Sequence, residues 1–198
     1  MLKVGITGGI GSGKTTVCKV FELQGIPVFY ADTEAKAVMQ SDTQLIDEIK
    51  QAFGNDIYAG GILDRPKLAS IVFNNEERLK MLNSLVHPAV FRAFDSWLRM
   101  QNAPYIVKEA ALLFESGSYK DCDYTVLVKS PYQLKVNRVM ARDFVSEAEV
   151  VKRMNKQLSD EEKEKLANFT IENDEKQLVI PRVLRLHQQF LNQAAIIK

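Results

Sequence analysis

One run of eight residues, Gly8-Gly9-Ile10-Gly11-Ser12-Gly13-Lys14-Thr15, limits what this chain can fold into more than any other feature of its sequence. It matches the pattern G-x-x-x-x-G-K-[ST] at every fixed position, and its flanks matter as much as its letters. Leu2 to Thr7 is short, apolar and β-branched, the pattern of a buried strand. Lys14 to Leu23 has helical periodicity, with Val17, Val20, Phe21 and Leu23 mostly on one side, and Gln24-Gly25 stops it. Ile26 to Tyr30 is a second apolar run. Strand, helix and strand in this order form the βαβ unit of a parallel sheet.

In such a loop the glycines let successive backbone N–H groups converge on phosphate oxygens. The helix N-terminus adds unpaired donors and partial positive charge at the same spot. Gly9, Ile10, Gly11, Ser12 and Gly13 supply the cradle. Lys14 is expected to reach the β- and γ-phosphates of ATP, and the Thr15 hydroxyl to ligate Mg²⁺, with Thr16 donating to a phosphate. A GTPase would add an N-K-x-D segment and a D-x-x-G switch. The one Asn-Lys pair here is Asn155-Lys156, followed by Gln157-Leu158, and no Asp has Gly three residues later. With 198 residues the chain is also too short for the motor and transporter ATPases. A small kinase that closes a lid over ATP and a small acceptor is what remains.

Composition narrows the partners. With 26 basic and 25 acidic residues the net charge is +1, which argues against a nucleic-acid binder held by bulk electrostatics and against a polybasic membrane anchor. No apolar run approaches membrane-spanning length, and Met1 to Thr7 turns glycine-rich too soon for a signal peptide. A cytoplasmic protein is expected, with a monomer favoured. Cys18 and Cys122 stand in no metal-ligand spacing and are expected to be two buried thiols.

Between the second strand and about Met100 the pattern is almost wholly helical. Ser41-Asp42-Thr43-Gln44 has capping-box form and is expected to open a helix through Phe53. Gly54 to Asp64 reads as a loop, and Arg65 to Phe73 and Glu76 to Met100 as helices, with Pro88 breaking or kinking the second. Strands resume at Tyr105 to Lys108 and Tyr124 to Val128. A helix follows from Pro131 to Arg142, and another from Ser146 through Leu158. Phe169 to Ile171 is a last short strand, and Glu175 to Gln193 a closing helix. The expected architecture is one α/β domain over residues 1–198, a three-layer P-loop fold with a parallel sheet. Its nucleotide-binding core spans about 1–31, 103–133 and 164–198, its helical acceptor lobe about 32–102, and its lid about 134–163.

Asp32 follows the second strand, at the carboxyl end where α/β sheets place ligands. There it could accept a proton from an attacking hydroxyl, hold a metal-bound water, or simply N-cap the helix that starts near Thr33. Arg138 and Arg142, four apart, share a helix face and fit a closing lid whose cations stabilise the transferred phosphoryl group. Solvated surface is the ordinary fate of such pairs. Glu115 and His87-Pro88 can equally be packing features.

Taken together, these residues resemble the dephospho-CoA kinase family. Thr7 to Thr16 is similar to the family's opening T-G-G-I-G-S-G-K-[ST]-T. The likeness continues through Gly25-Ile26-Pro27-Val28, Ala31-Asp32, Gly61 to Arg65, Leu68, Phe73, Leu82-Asn83, His87-Pro88 and Leu112 to Glu115. It reaches Arg138, Arg142-Asp143, Arg153-Met154, Gln157, Ile171 and Asn173. The resemblance implies transfer of the γ-phosphate of ATP to the ribose 3′-hydroxyl of dephospho-CoA, with Asp32 as general base. It implies Arg142 near the adenine or phosphates of ATP, Asn173 near the base, and His87, Glu115 and Arg65 on the acceptor side. The chain departs from the family pattern at Tyr30, where the first Asp of D-A-D stands, and at Ala111, where a proline is usual. Asn168 replaces an Asp, and Thr15 a common Ser.

Overall fold

The computed structural model describes residues 1–73 and 75–196. In chain order its elements are β1 (Leu2–Thr7), α1 (Lys14–Leu23), β2 (Val28–Tyr30), α2 (Ala31–Ser41), α3 (Thr43–Phe53), β3 (Tyr58–Ala59), β4 (Ile62–Leu63), α4 (Arg65–Val72) and α5 (Glu76–Arg99). They continue with β5 (Tyr105–Glu109), β6 (Tyr124–Lys129), α6 (Tyr132–Asp143), α7 (Glu147–Met154), α8 (Asp160–Leu166), β7 (Phe169–Glu172) and α9 (Val179–Ile196). They form two compact units, Met1–Tyr30 with Asn102–Lys198, and Ala31–Gln101. Among the described residues no helix is long and apolar enough to cross a membrane.

The first unit is built on a parallel sheet of order β2-β5-β1-β6-β7. Side chains alternate across a strand, so Leu2, Val4 and Ile6 of β1 point to one face, where they share a core with Val17, Val20 and Phe21 of α1 and Val183, Phe190 and Ala194 of α9. Phe21, Tyr105 and Phe190 pack edge-on or tilted at 5.6 to 6.5 Å between centroids. Each such ring removed from water contributes roughly 1.5–3 kcal/mol. Gly5 faces the other way, beneath Leu113 and Cys122; a Cβ there would lie 2.7 Å from Leu113 Cδ2. The sheet is thus the middle of three layers. Cys18 is buried and Cys122 only partly so, and both are free thiols. Burial pushes both upward, Cys122 to about 11, which keeps them protonated and unreactive at neutral pH.

Helix α1 ends as its sequence prescribes. Gly25 takes φ 77°, its N–H donates to Glu22 O at 2.8 Å, and Ile26 N–H donates to Phe21 O at 3.1 Å. Three expectations change in the later part of this unit. The helix read from Ser146 through Leu158 stops at Met154, and a separate helix, α8, opens at a second capping box formed by Ser159 and Glu162. The last strand runs on to Glu172. The closing helix starts at Val179 rather than Glu175, because Glu175 adopts φ 62° and Asp174 Oδ1 accepts the N–H groups of Lys176 and Gln177, both at 3.0 Å.

The second unit holds α2 to α5 around Val38, Leu45, Ile49, Ile57, Leu68, Val86 and Ala89. Ser41 does not open α3. Its hydroxyl donates back to Ala37 O at 3.0 Å as the last residue of α2, and Asp42 caps α3 by accepting Leu45 N–H at 3.0 Å. The expected loop between Gly54 and Asp64 contains a hairpin, β3 against β4, turned by Gly60 and Gly61 at φ 58° and 80°. Pro88 does not end α5, which runs unbroken for 24 residues. Val86 and Ala89 on either side of it are buried, and packing outweighs one lost backbone bond.

Asp42 also pairs with Arg92 at 2.7 Å. The Leu45 N–H, then Arg92, hold its carboxyl below the usual range. Replacing Asp42 with alanine is expected to lower stability by about 1–2 kcal/mol at pH 7. A depressed carboxyl contributes stability above its unfolded-state value and loses it as pH falls through the folded value. The difference between wild type and variant in urea unfolding should therefore shrink below about pH 4.

Candidate nucleotide and acceptor site

The loop between β1 and α1 is a tight cradle. Gly11 and Gly13 take φ 80° and 90°, and an added Cβ at Gly11 would meet Lys135 O and lie 2.9 Å from Val139 Cγ2. At Gly13 it would collide with Asn173 Nδ2. The Lys14 ammonium donates to Gly8 O at 2.9 Å and to Gly9 O at 3.4 Å, folded over the loop's own carbonyls. The first intrahelical bond of α1 is Val17 N–H to Gly13 O at 3.2 Å. The N–H groups of Thr15 and Thr16 therefore have no partner within the helix, and both residues are exposed. Ser12 Oγ is buried and has no hydrogen-bond partner among the described residues. A loop that presents free donors and an unpaired buried hydroxyl fits the oxygens of a phosphate chain.

Two of the residues read from the sequence meet this loop. Arg138 of α6 donates through Nη1 to Ser130 Oγ at 2.9 Å and to Gly11 O at 3.3 Å. Its Nη2 donates to Glu175 Oε1 at 2.9 Å and to Asn173 O at 3.4 Å. Asn173, just past β7, donates from Nδ2 to Ser12 O at 2.8 Å. Its carbonyl accepts the Ser130 hydroxyl. Among the described residues Arg142 makes no hydrogen bond to the loop. Its guanidinium grips Asp143 at 2.7 and 3.1 Å and its side chain is 64% exposed. Arg153 takes the same carboxylate at 2.8 Å. Arg142, then Arg153, hold Asp143 below the usual carboxylate range.

Glu115 is tied to Leu158 and to helix α8. Its Oε1 accepts Leu158 N–H at 2.9 Å and pairs with Lys163 Nζ at 3.1 Å. Gln157 reaches the phosphate loop itself, accepting Ile10 N–H at 2.9 Å. Beside Gly9, Lys135 and Asp160 form a nearly buried ion pair of 2.6 Å. A cavity of about 750 Å³ opens there, lined among others by Lys129, Ser130, Lys135, Asp160 and Glu172. Sequence reasoning missed Lys163, Lys135 and Asp160. The capping box Ser159-x-x-Glu162 was the signal that would have placed α8, and with it Asp160 and Lys163 three apart on one helical face.

The other site candidates lie in the second unit. Asp32 is exposed in the first turn of α2, two residues past the end of β2, so it is not that helix's N-cap. Arg65 opens α4 and donates to Lys36 O at 2.9 Å, joining α4 to α2. His87 is half-buried in α5, and burial holds it below the usual imidazole range, so it is neutral at pH 7 and offers one donor and one acceptor.

The departures from the family pattern have local reasons. Burial, then neighbouring Cys18 and Glu22, push the Tyr30 hydroxyl upward, so this phenol cannot replace a carboxylate as a base. Asn168 Oδ1 accepts Thr125 N–H at 2.8 Å and the Thr125 hydroxyl at 3.0 Å, contacts that an aspartate oxygen makes equally well. At Ala111 the backbone carbonyl is the part in use, accepting from Thr7 Oγ1, Gln157 Nε2 and Lys163 Nζ, each at 3.4 Å.

Among known proteins, the family profile described as "Dephospho-CoA kinase" matches residues 2–178. A dephospho-CoA kinase of Salinibacter ruber is 44% identical over 178 residues, 88% of this chain and 89% of that protein. A crystal structure from Thermus thermophilus shares 38% identity with a TM-score of 0.86, covering 95% of this chain and 96% of that one. The dephospho-CoA kinase of Campylobacter jejuni shares 25% identity with a TM-score of 0.70, covering 96% and 98%.

Proposed function

This chain belongs to the dephospho-CoA kinase family, and we propose that it transfers the γ-phosphate of ATP to the ribose 3′-hydroxyl of dephospho-CoA, giving CoA and ADP as the last step of CoA biosynthesis. The observation that carries the nucleotide half of this reading is the phosphate loop with its unpaired buried Ser12 hydroxyl, flanked by Arg138 and Asn173. The acceptor half rests on family membership and on residues of matching kind at Asp32, Arg65, His87 and Glu115.

Gly9 to Gly13 and the N–H groups of Thr15 and Thr16 bind the phosphates. Lys14 exchanges its two loop carbonyls for the β- and γ-phosphate oxygens. Arg138, already against the loop, opposes the charge that spreads over the transferred group. Arg142 reaches the nucleotide once it leaves Asp143, and Asn173 borders the base. Mg²⁺ would neutralise charge on the β- and γ-phosphates, and the exposed Thr15 hydroxyl is the residue that would hold it. That ion keeps most of its water and takes few protein ligands. Asp32 accepts the proton of the 3′-hydroxyl and orients it for in-line attack. The helical residues of about 32–102 act as the acceptor lobe and about 134–163 as the lid.

The test is ADP release from ATP and Mg²⁺ with and without dephospho-CoA. ADP that depends on the acceptor, together with a product of the mass of CoA, is the expected result. ATP bound without acceptor-dependent ADP would overturn the assignment and point to a nucleotide-binding module that lacks turnover.

A further inference from the structure

Helix α8 carries a lysine whose side chain has no exposure to solvent. A buried ammonium is unfavourable unless it is paired and hydrogen-bonded, so its partners show what it serves. Lys163 Nζ lies 3.1 Å from Glu115 Oε1 and donates to Ala111 O at 3.4 Å. Glu115 is held from a second side by Leu158 N–H, and its side chain is 17% exposed. The Ala111 carbonyl also takes the Gln157 side chain, whose Oε1 holds Ile10 N–H of the phosphate loop. The buried cation thus holds the segment 111–115 at both ends, while the contact with the phosphate loop is made by Gln157 and not by the lysine. An apolar side chain would fill the same volume without the desolvation penalty, so filling space does not account for a lysine here.

We propose that Lys163 is a positioning residue for the acceptor: it fixes the Glu115 carboxylate in the orientation that meets dephospho-CoA, without touching either substrate itself. This rests on the reading that Glu115 lines the acceptor side. Helix α8 has its own anchor in the Asp160–Lys135 pair and its own capping box, so its docking does not depend on Lys163 alone.

The experiment compares wild type, Lys163→Met, Glu115→Gln and the double variant by steady-state kinetics in both substrates and by thermal unfolding. Lys163→Met should raise KM for dephospho-CoA about tenfold and leave KM for ATP within about twofold. Because Lys163 acts through one carboxylate, the double variant should show the same acceptor KM as Glu115→Gln alone. Lys163→Arg keeps the cation and should return the acceptor KM to within about threefold of wild type; it also decides the question should the methionine variant not fold. A lower melting temperature with unchanged acceptor KM, additive effects of the two substitutions, or no recovery with arginine would each overturn the proposal. Wild-type protein that makes no acceptor-dependent ADP would overturn the assigned reaction and this role with it, whereas a functioning wild type beside an unaffected Lys163→Met overturns this role alone.

Discussion

Replacing Asp32 with asparagine is expected to lower kcat by about 10²–10⁴-fold, the usual contribution of a positioned acid or base. Asparagine keeps the shape of the side chain and one oxygen, but it cannot take up the proton that the ribose hydroxyl must lose. The residue is exposed in the first turn of α2, so the change should move stability by no more than about 0.5 kcal/mol. A fall in kcat with ATP affinity and melting temperature unchanged is the signature of lost chemistry rather than lost fold. Tyr30, the nearest substitute in the D-A-D position, has its hydroxyl pushed upward by burial and cannot take over the role. Unchanged turnover in Asp32→Asn would remove Asp32 from the mechanism. A loss nearer tenfold would mean that Asp32 mainly orients the hydroxyl.

The second large effect is expected from Gly11→Ala. Gly11 takes φ 80°, a backbone conformation costing a side-chain-bearing residue about 1–3 kcal/mol. The new Cβ would also run into the carbonyl oxygen of Lys135 and crowd Val139 Cγ2 at 2.9 Å. Neither can step aside cheaply, because the first is helix backbone and the second is fully buried. Overpacking of this kind adds about 1–3 kcal/mol. The loop can relieve the clash only by swinging its N–H groups off the positions that converge on phosphate. ATP affinity should therefore drop by about a hundredfold or more, the equivalent of roughly 3 kcal/mol, while the second unit keeps its packing. Titration with a fluorescent ATP analogue and thermal unfolding read the two effects separately. Near-normal binding by this variant would show that the loop does not need its present shape to hold the nucleotide.

Much of this site was legible because it is local. The phosphate loop lies in consecutive residues, and its strand, glycines and helix start all follow from short-range geometry. The glycine stop of α1 and the capping box at Ser146 are equally local. Boundaries failed where two local signals competed. Ser41 and Asp42 are both able to cap, and the chain continues as helix through the first and caps with the second, which also gains Arg92. Of the two outcomes open to Pro88, a break is ruled out, because the buried neighbours on either side hold α5 together.

Lys163 was illegible for a different reason. The segment Asp-Glu-Glu-Lys-Glu-Lys-Leu of α8 is charged at every position but the last, and nothing in it marks one lysine for complete burial. That outcome depends on Glu115 and Ala111, brought from 48 and 52 residues away by the sheet.

The sequence by itself determined the βαβ unit, the phosphate loop and the kinase family, since each is written in contiguous residues or in motifs of kept spacing. Only the tertiary structure decided which of two arginines lies against the loop. Arg138 and Arg142 share a helix face, so periodicity cannot separate them. Four residues advance a helix by about 6 Å. Helix α6 meets the loop at Arg138, beside Gly11 and Asn173, and one turn later Asp143 claims Arg142 instead.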